Sequence, residues 1–203
     1  DLSDSDTAEQ LIQLAEAGKL NTVIVNIKDD EGELNIPVET DMVSDVENLQ
    51  AKKAEKLAQN MRELSKNGVH VVGRIYCFQD EAASKQNSDL SMEYQNGGRW
   101  SDYNSEHWLD PTNPDVVTYL CDIAQSAADA GCDEILLDEL TFPLRGHIDR
   151  IEFFNEPDSQ AAALLDVMQE IQNTVGDAVA VSLTASDASE LVTQSETAAE
   201  DGV

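Results

Sequence analysis

The sequence is short of positive charge: 12 Lys and Arg stand against 41 Asp and Glu, a formal net charge of -29 over 203 residues. Phosphate backbones and anionic lipid bind through local clusters of Lys and Arg, and so few cations leave little to build one with. Nucleic acid is therefore set aside as a partner. Membrane insertion goes with it, because no stretch approaches the roughly 20 apolar residues of a span. The opening Asp-Leu-Ser-Asp-Ser-Asp has neither the basic start nor the apolar centre of a signal peptide. Cysteines are scarce too. Cys77, Cys121 and Cys132 show no CxxC spacing and fall in apolar stretches, where a thiol packs as a small hydrophobe. His70, His107 and His147 form no HxH or HExxH pattern, which disfavours a zinc hydrolase. There is also no GxSxG elbow, GxGxxG turn or Walker loop, so the sequence calls for no cofactor and no resident metal.

What is present is a regular alternation. Hydrophobic residues make up 41% of the chain, enough for a core. Asp6-Thr7-Ala8-Glu9 reads as a capping box opening a helix with Leu11, Leu14 and Ala15 that stops at Gly18. Ser44 to Glu47 opens a second helix, with Ala54, Leu57, Ala58, Met61 and Leu64, ending at Gly68. Asn113-Pro114 opens a third that ends at Gly131, and Asp158-Ser159 a fourth that ends at Gly176. A weaker fifth follows Asp187. Soon after each of the four glycines comes a short apolar run: Thr22 to Ile27, Val69 to Cys77, Glu134 to Asp138, Ala178 to Leu183. Strands apolar at nearly every position, alternating with amphipathic helices, predict an α/β fold with a parallel sheet covered by helices.

The connections are unequal. Helix-to-strand links are a few residues long, whereas strand-to-helix links run from Lys28 to Val43, Phe78 to Asn113 and Glu139 to Pro157. Long loops at the carboxyl ends of parallel strands are where such folds bind ligands. Eight units at this spacing would need roughly 400 residues, beyond the ~250 of a plain barrel, and only four fit here. Two architectures remain: part of a (β/α)8 TIM barrel, or a small open doubly wound parallel sheet.

Residues suited to chemistry collect at those strand ends. Asp138 and Glu139 stand where a buried strand gives way to a long loop, a position fitting acid/base or nucleophilic work on glycosidic bonds; the plainer reading is that they cap the next segment or face solvent. Trp100 and Trp108 share the Phe78 to Asn113 loop with Tyr94 and Tyr103, although aromatics are only 5% of the chain. They are either sugar-stacking platforms or the loop's own small core. Lys28 and Asp29 follow the first strand, with Lys28 placed to neutralise Asp138. The acidic run after them lacks the regular spacing of a calcium loop, and Asp-Glu-Gly is ordinary turn chemistry. Arg74, inside an apolar strand, needs a carboxylate partner, Asp138 being the first choice.

Four strings in order, NTVIVNIKDDEG, GRIYCFQD, GRWSDYNSEHWLDP and AADAGCDEILLDELTFP, resemble a bacterial glycoside hydrolase family, an uncharacterised TIM-barrel domain with a strand-end F-D-Y-x-R-F-P motif. The likeness spans about residues 6 to 184. It implies a single carbohydrate-active barrel domain over residues 1–203, covering strands two to five and truncated at both ends. It also implies an extracellular or cell-envelope setting and a carbohydrate substrate or ligand. By position, Asp138 matches the family's strand-end Asp, Lys28 and Asp29 its first motif, Arg74 its R-I-x-x-F, and Trp100, Trp108 and Asp110 its W…W-x-D-P. Asn26 replaces a family Asp, Glu139 and Thr141 replace its Tyr and Arg, and Thr184 stands where the fifth strand would carry an Asp. The resulting expectation is a glycoside hydrolase with Asp138 and Glu139 catalytic and Lys28, Asp29, Arg74, Trp100, Trp108 and Asp110 binding substrate. The alternative is a non-catalytic carbohydrate-binding or wall-associated domain.

Overall fold

The computed structural model describes residues 2–44, 48–157 and 159–184. The elements run α1 (Ser5–Glu16), β1 (Thr22–Lys28), α2 (Asn48–Lys66), β2 (His70–Tyr76), α3 (Glu81–Gln86), β3 (Glu93–Tyr94), α4 (Pro114–Asp129), β4 (Glu134–Asp138), β5 (Ile151–Glu152), α5 (Gln160–Val175) and β6 (Ala180–Leu183). The main sheet has the order β1-β2-β4-β6, and every pairing in it is parallel. Neighbours in space are thus neighbours in chain order. A doubly wound sheet reverses its order at a switch point, and this sheet does not, so the strands form an arc of a barrel. The open-sheet alternative falls on that observation. Among the described residues the arc has four of the eight parallel strands of a (β/α)8 barrel.

Local chemistry accounts for the helix ends. The Asp4 carboxylate accepts from the Thr7 amide at 3.1 Å and caps α1, two residues earlier than the capping box read from Asp6. Asn113 caps α4 by accepting from the Asp115 amide at 2.9 Å, with Pro114 first in the helix where its missing N–H costs nothing. Ser159 caps α5 through the Ala162 amide. The expected start of α2 at Ser44 to Glu47 falls partly, and Asp158 and the helix after Asp187 wholly, outside the described residues.

The two faces of the sheet differ. Val25, Ile27, Val71, Ile75, Ile135 and Leu137 are buried in one core with Leu57, Met61 and Leu64 of α2 and Leu120, Ile123 and Ala127 of α4. Strand side chains alternate, so the intervening positions, Ile24, Asn26, His70, Arg74, Tyr76, Glu134 and Asp138, share the opposite, concave face. Ile24 is 63% exposed there.

The long loops form the third layer. The one following β2 contains α3, a 3-10 turn at Ser88–Leu90 and β3, which pairs antiparallel with β5 of the loop following β4. Phe142 and Phe153 meet edge to face at 5.5 Å between centroids. These small elements were not visible as periodicity, being two to six residues long.

Candidate functional site at the strand ends

Asp138 ends β4 in the middle of the arc. Its side chain is 14% exposed and accepts from Arg74 Nη1 at 3.5 Å, from the Thr184 hydroxyl and from the Glu139 amide at 3.2 Å. Arg74 in turn donates from Nε to Asn26 Oδ1 at 2.8 Å. Four consecutive strand ends are thereby tied by one polar chain, Asn26 to Arg74 to Asp138 to Thr184. The guanidinium also lies 5.2 Å from the ring centroid of Tyr76, a cation–π contact.

Tyr76 is paired in register with Asp138. Burial pushes its phenol above the ordinary 10.0, with Asp138, Asp30 and Glu139 adding to the rise against Arg74. The phenol is therefore protonated throughout the neutral range and available as a donor beside the carboxylates. Glu139 adopts φ +48, uncommon for a residue with a side chain, and its carbonyl accepts from the Thr141 amide at 2.9 Å. That sharp turn stops the strand and sends the chain into the loop. Backbone held in such a region costs of order 1 kcal/mol and is found preferentially at functional sites.

Other residues singled out by sequence are placed elsewhere. Lys28 does not reach Asp138. It is fully buried, 3.0 Å from Asp80 Oδ2, and donates to the carbonyls of Tyr76 at 2.7 Å and Gln79 at 3.2 Å. A buried pair of this kind is costly to break, about 3–5 kcal/mol when one partner is removed. Asp80 also accepts from the Ala83 amide at 2.7 Å and so starts α3. Gly32 makes room for it: a Cβ there would sit 1.9 Å from Asp80 Oδ1, and φ is +86. Asp29 closes its own turn, accepting from the amides of Glu31 and Glu33.

Both tryptophans are interior. Trp100 is fully buried and donates from Nε1 to the His147 carbonyl at 3.1 Å, and Trp108 is 6% exposed. They form the core of the second loop together with Leu90, Met92 and Leu109. Asp110, 2% exposed, accepts from Thr112 and from the Phe154 amide at 2.7 Å, clasping the loops after β2 and β4 together. Structure therefore gathers Asp138, Glu139 and Arg74 at one strand-end site and puts Lys28, Asp29, Trp100, Trp108 and Asp110 in the scaffold beneath and beside it. Sequence reasoning passed over Tyr76, whose signal was its spacing of two from Arg74 on the same strand face. Asn26 and Thr184, noted only as departures from a motif, turn out to hold the two ends of the polar chain.

Among the described residues no group of three or more His, Cys, Asp or Glu is arranged to hold a metal ion. A groove of about 630 Å³ lies between α2 and α4, lined by Glu55, Arg62, Asp122 and Asp129 among others. None of the strand-end residues contributes to it, and it sits on the helix side of the sheet, away from the carboxylates.

Over residues 1–198 the chain matches a family described as "Putative glycosyl hydrolase domain". No curated protein matches it. Among solved structures it is similar to a hypothetical protein from Ruminiclostridium thermocellum ATCC 27405, with TM-score 0.71 and 26% identity over 90% of this chain and 93% of that one. It is also similar to TtGalA, an α-galactosidase from Thermus thermophilus in complex with p-nitrophenyl α-D-galactopyranoside, with TM-score 0.58 and 15% identity over 87% of this chain and 34% of that one. The GH36 α-galactosidase AgaA from Geobacillus stearothermophilus gives TM-score 0.57 and 17% identity over 88% of this chain and 25% of that one. At these identities the two galactosidases share its fold, and the chain spans about a third and a quarter of their lengths.

Proposed function

The chain belongs to the putative glycosyl hydrolase domain family, and on that premise we propose that it cleaves glycosidic bonds of a poly- or oligosaccharide through Asp138 and Glu139. Asp138 acts as nucleophile or electrostatic stabiliser of the oxocarbenium-like transition state, and Glu139 as general acid/base. The observation that carries this reading is the polar chain across four strand ends, which holds the Asp138 carboxylate in one orientation at the carboxyl end of the arc. Orientation matters because a misplaced carboxylate loses most of its advantage over water. Arg74 balances its charge on one side and Thr184 fixes the other oxygen, while the Tyr76 phenol supplies a donor for a sugar hydroxyl or the leaving oxygen. The setting proposed with it, extracellular or at the bacterial cell envelope, follows the family resemblance. The non-catalytic alternative drew its binding surface from Trp100 and Trp108, and both indoles are buried.

The test is turnover by the full-length protein on p-nitrophenyl glycosides and natural oligosaccharides. Asp138→Asn keeps the size of the side chain and one of its two acceptor oxygens while removing the charge, and lowers turnover by about 10²–10⁴-fold, the contribution of a positioned acid or base. Cleavage at the parental rate by Asp138→Asn would overturn the assignment.

A further inference from the structure

Tyr103 is 70% exposed, the most exposed of the large hydrophobic side chains in the described residues, and it lies in the long loop that follows the carboxyl end of β2. Its backbone is fixed from below. The Asp102 carboxylate accepts from the amides of Asn104 at 2.8 Å and Glu106 at 3.2 Å, the Asp102 amide donates to the Glu106 carbonyl, and Ser105 turns the chain at φ +67. The ring is braced edge to face against His147, at 5.7 Å between centroids and 83° between planes. His147 is itself held, since its carbonyl accepts from the buried Trp100 indole. Close approach of the two loops depends on Gly146, at φ +113, where a Cβ would lie 2.5 Å from Trp100 Cζ2 and 3.1 Å from Asp102 Cα. Trp100 is thus the foundation, and Tyr103 the surface built on it.

We propose that Tyr103, braced by His147, is a stacking platform for a neutral sugar ring of the substrate, a subsite flanking the strand-end carboxylates. This deepens the hydrolase reading and rests on it. Three observations select the occupant. A phenol ring has an apolar face and a polar edge, matching a pyranose with C–H groups on one face and hydroxyls at its rim. The net charge of -29 repels anionic glycans and leaves neutral ones. The platform stands on the same two loops that frame the site, Tyr103 on the loop after β2 and His147 on the loop that begins at Asp138. Exposed Asn104, Arg145 and Asp149 on the same two loops supply donors and acceptors for hydroxyls. A ring with two side-chain torsions that is already braced loses little freedom on binding, so the contact is gained cheaply.

The experiment is native affinity electrophoresis of the full-length Asp138→Asn protein in gels containing galactomannan, xylan, hydroxyethyl cellulose or pullulan, with and without Tyr103→Ala and Tyr103→Trp. The expected result is retardation of the parent by at least one polysaccharide, weakened about three- to tenfold in Kd by Tyr103→Ala and kept by Tyr103→Trp. Equal retardation of parent and Tyr103→Ala, or no retardation of the parent by any of the four, overturns the platform. So does a Tyr103→Ala variant that changes oligomeric state while binding glycan as before. The catalytic reading fails separately: an Asp138→Asn protein that still cleaves its polysaccharide, while Tyr103→Ala still weakens binding, keeps the platform and discards the nucleophile.

Discussion

The concave face of the sheet carries two carboxylates built almost alike. At the strand starts Glu134 accepts from His70 of β2 at 3.0 Å and from Ser182 of β6 at 2.5 Å; at the strand ends Asp138 accepts from Arg74 of β2 and from Thr184 just past β6. The two acids are four residues apart on one strand, and so are His70 and Arg74. What differs is the setting. Glu134 is met by short helix-to-strand turns, whereas Asp138 is met by the long loops, by a strained Glu139 and by the Tyr76 phenol. A carboxylate held between a base and a hydroxyl is therefore not a signature of catalysis by itself. In barrels, stability belongs to the amino end of a strand and ligand chemistry to its carboxyl end, and the proposed function assigns Glu134 and Asp138 accordingly.

Turnover should separate the two carboxylates most widely. Asp138→Asn should cost about a thousandfold, close to 4 kcal/mol of transition-state stabilisation, while Glu134→Gln should stay within about threefold of the parent, a shift under 1 kcal/mol. Equal losses in single-turnover rates would show that both acids serve the reaction and that strand position decides nothing here. Stability gives the converse contrast at a smaller scale. His70, then Ser182, hold the Glu134 carboxyl below its ordinary 4.5 against the opposing effect of burial. A lowered native value means that the unfolded chain binds the proton first, so this stabilisation is complete above about pH 5 and fades as pH falls through 4.5 and the lower native value. Glu134→Gln should therefore lower the urea-unfolding free energy by roughly 1 kcal/mol at pH 7 and by progressively less as pH falls below 4.5. A pH-independent difference would mean that the charge is not what stabilises.

Much of the frame was legible because its signals are local. Asn113-Pro114 before α4 and glycines after four helices each act within a few residues, and continuous apolar runs mark strands buried on a helix-covered face. Barrel arc against open sheet was not legible, since it depends on which strand lies beside which, and only the observed order β1-β2-β4-β6 decides it. The site divides the same way. Asp138 and Arg74 declare themselves by standing at a strand end and inside an apolar strand. Lys28 pairs with Asp80, a residue from the loop after β2 that no periodicity connects to it. The tryptophans illustrate the remaining difficulty: in a long irregular loop no repeat says which side faces water, and the two largest rings went inward while Tyr103 stayed out.

At the strand starts the remaining question is how much of the His70–Glu134 pair is electrostatic. His70 is 44% exposed and Glu134 26%, so solvent screens their attraction, and a partly exposed pair of this kind contributes roughly 0.2–1 kcal/mol. A double-mutant cycle with His70→Gln and Glu134→Gln isolates that coupling from the separate losses of each side chain. The coupling should fall at the low end of the range at pH 7, and 0.5 M salt should reduce it further, since screening acts within about one Debye length. The bond to Ser182 is left intact by His70→Gln, so Glu134 keeps part of its anchoring in that variant. A coupling well above 1 kcal/mol would place the pair in a drier environment than its exposure indicates. The concave face at the strand starts would then be covered in the folded protein, and Glu134 would belong to an enclosed polar layer of a barrel interior rather than to an open sheet surface.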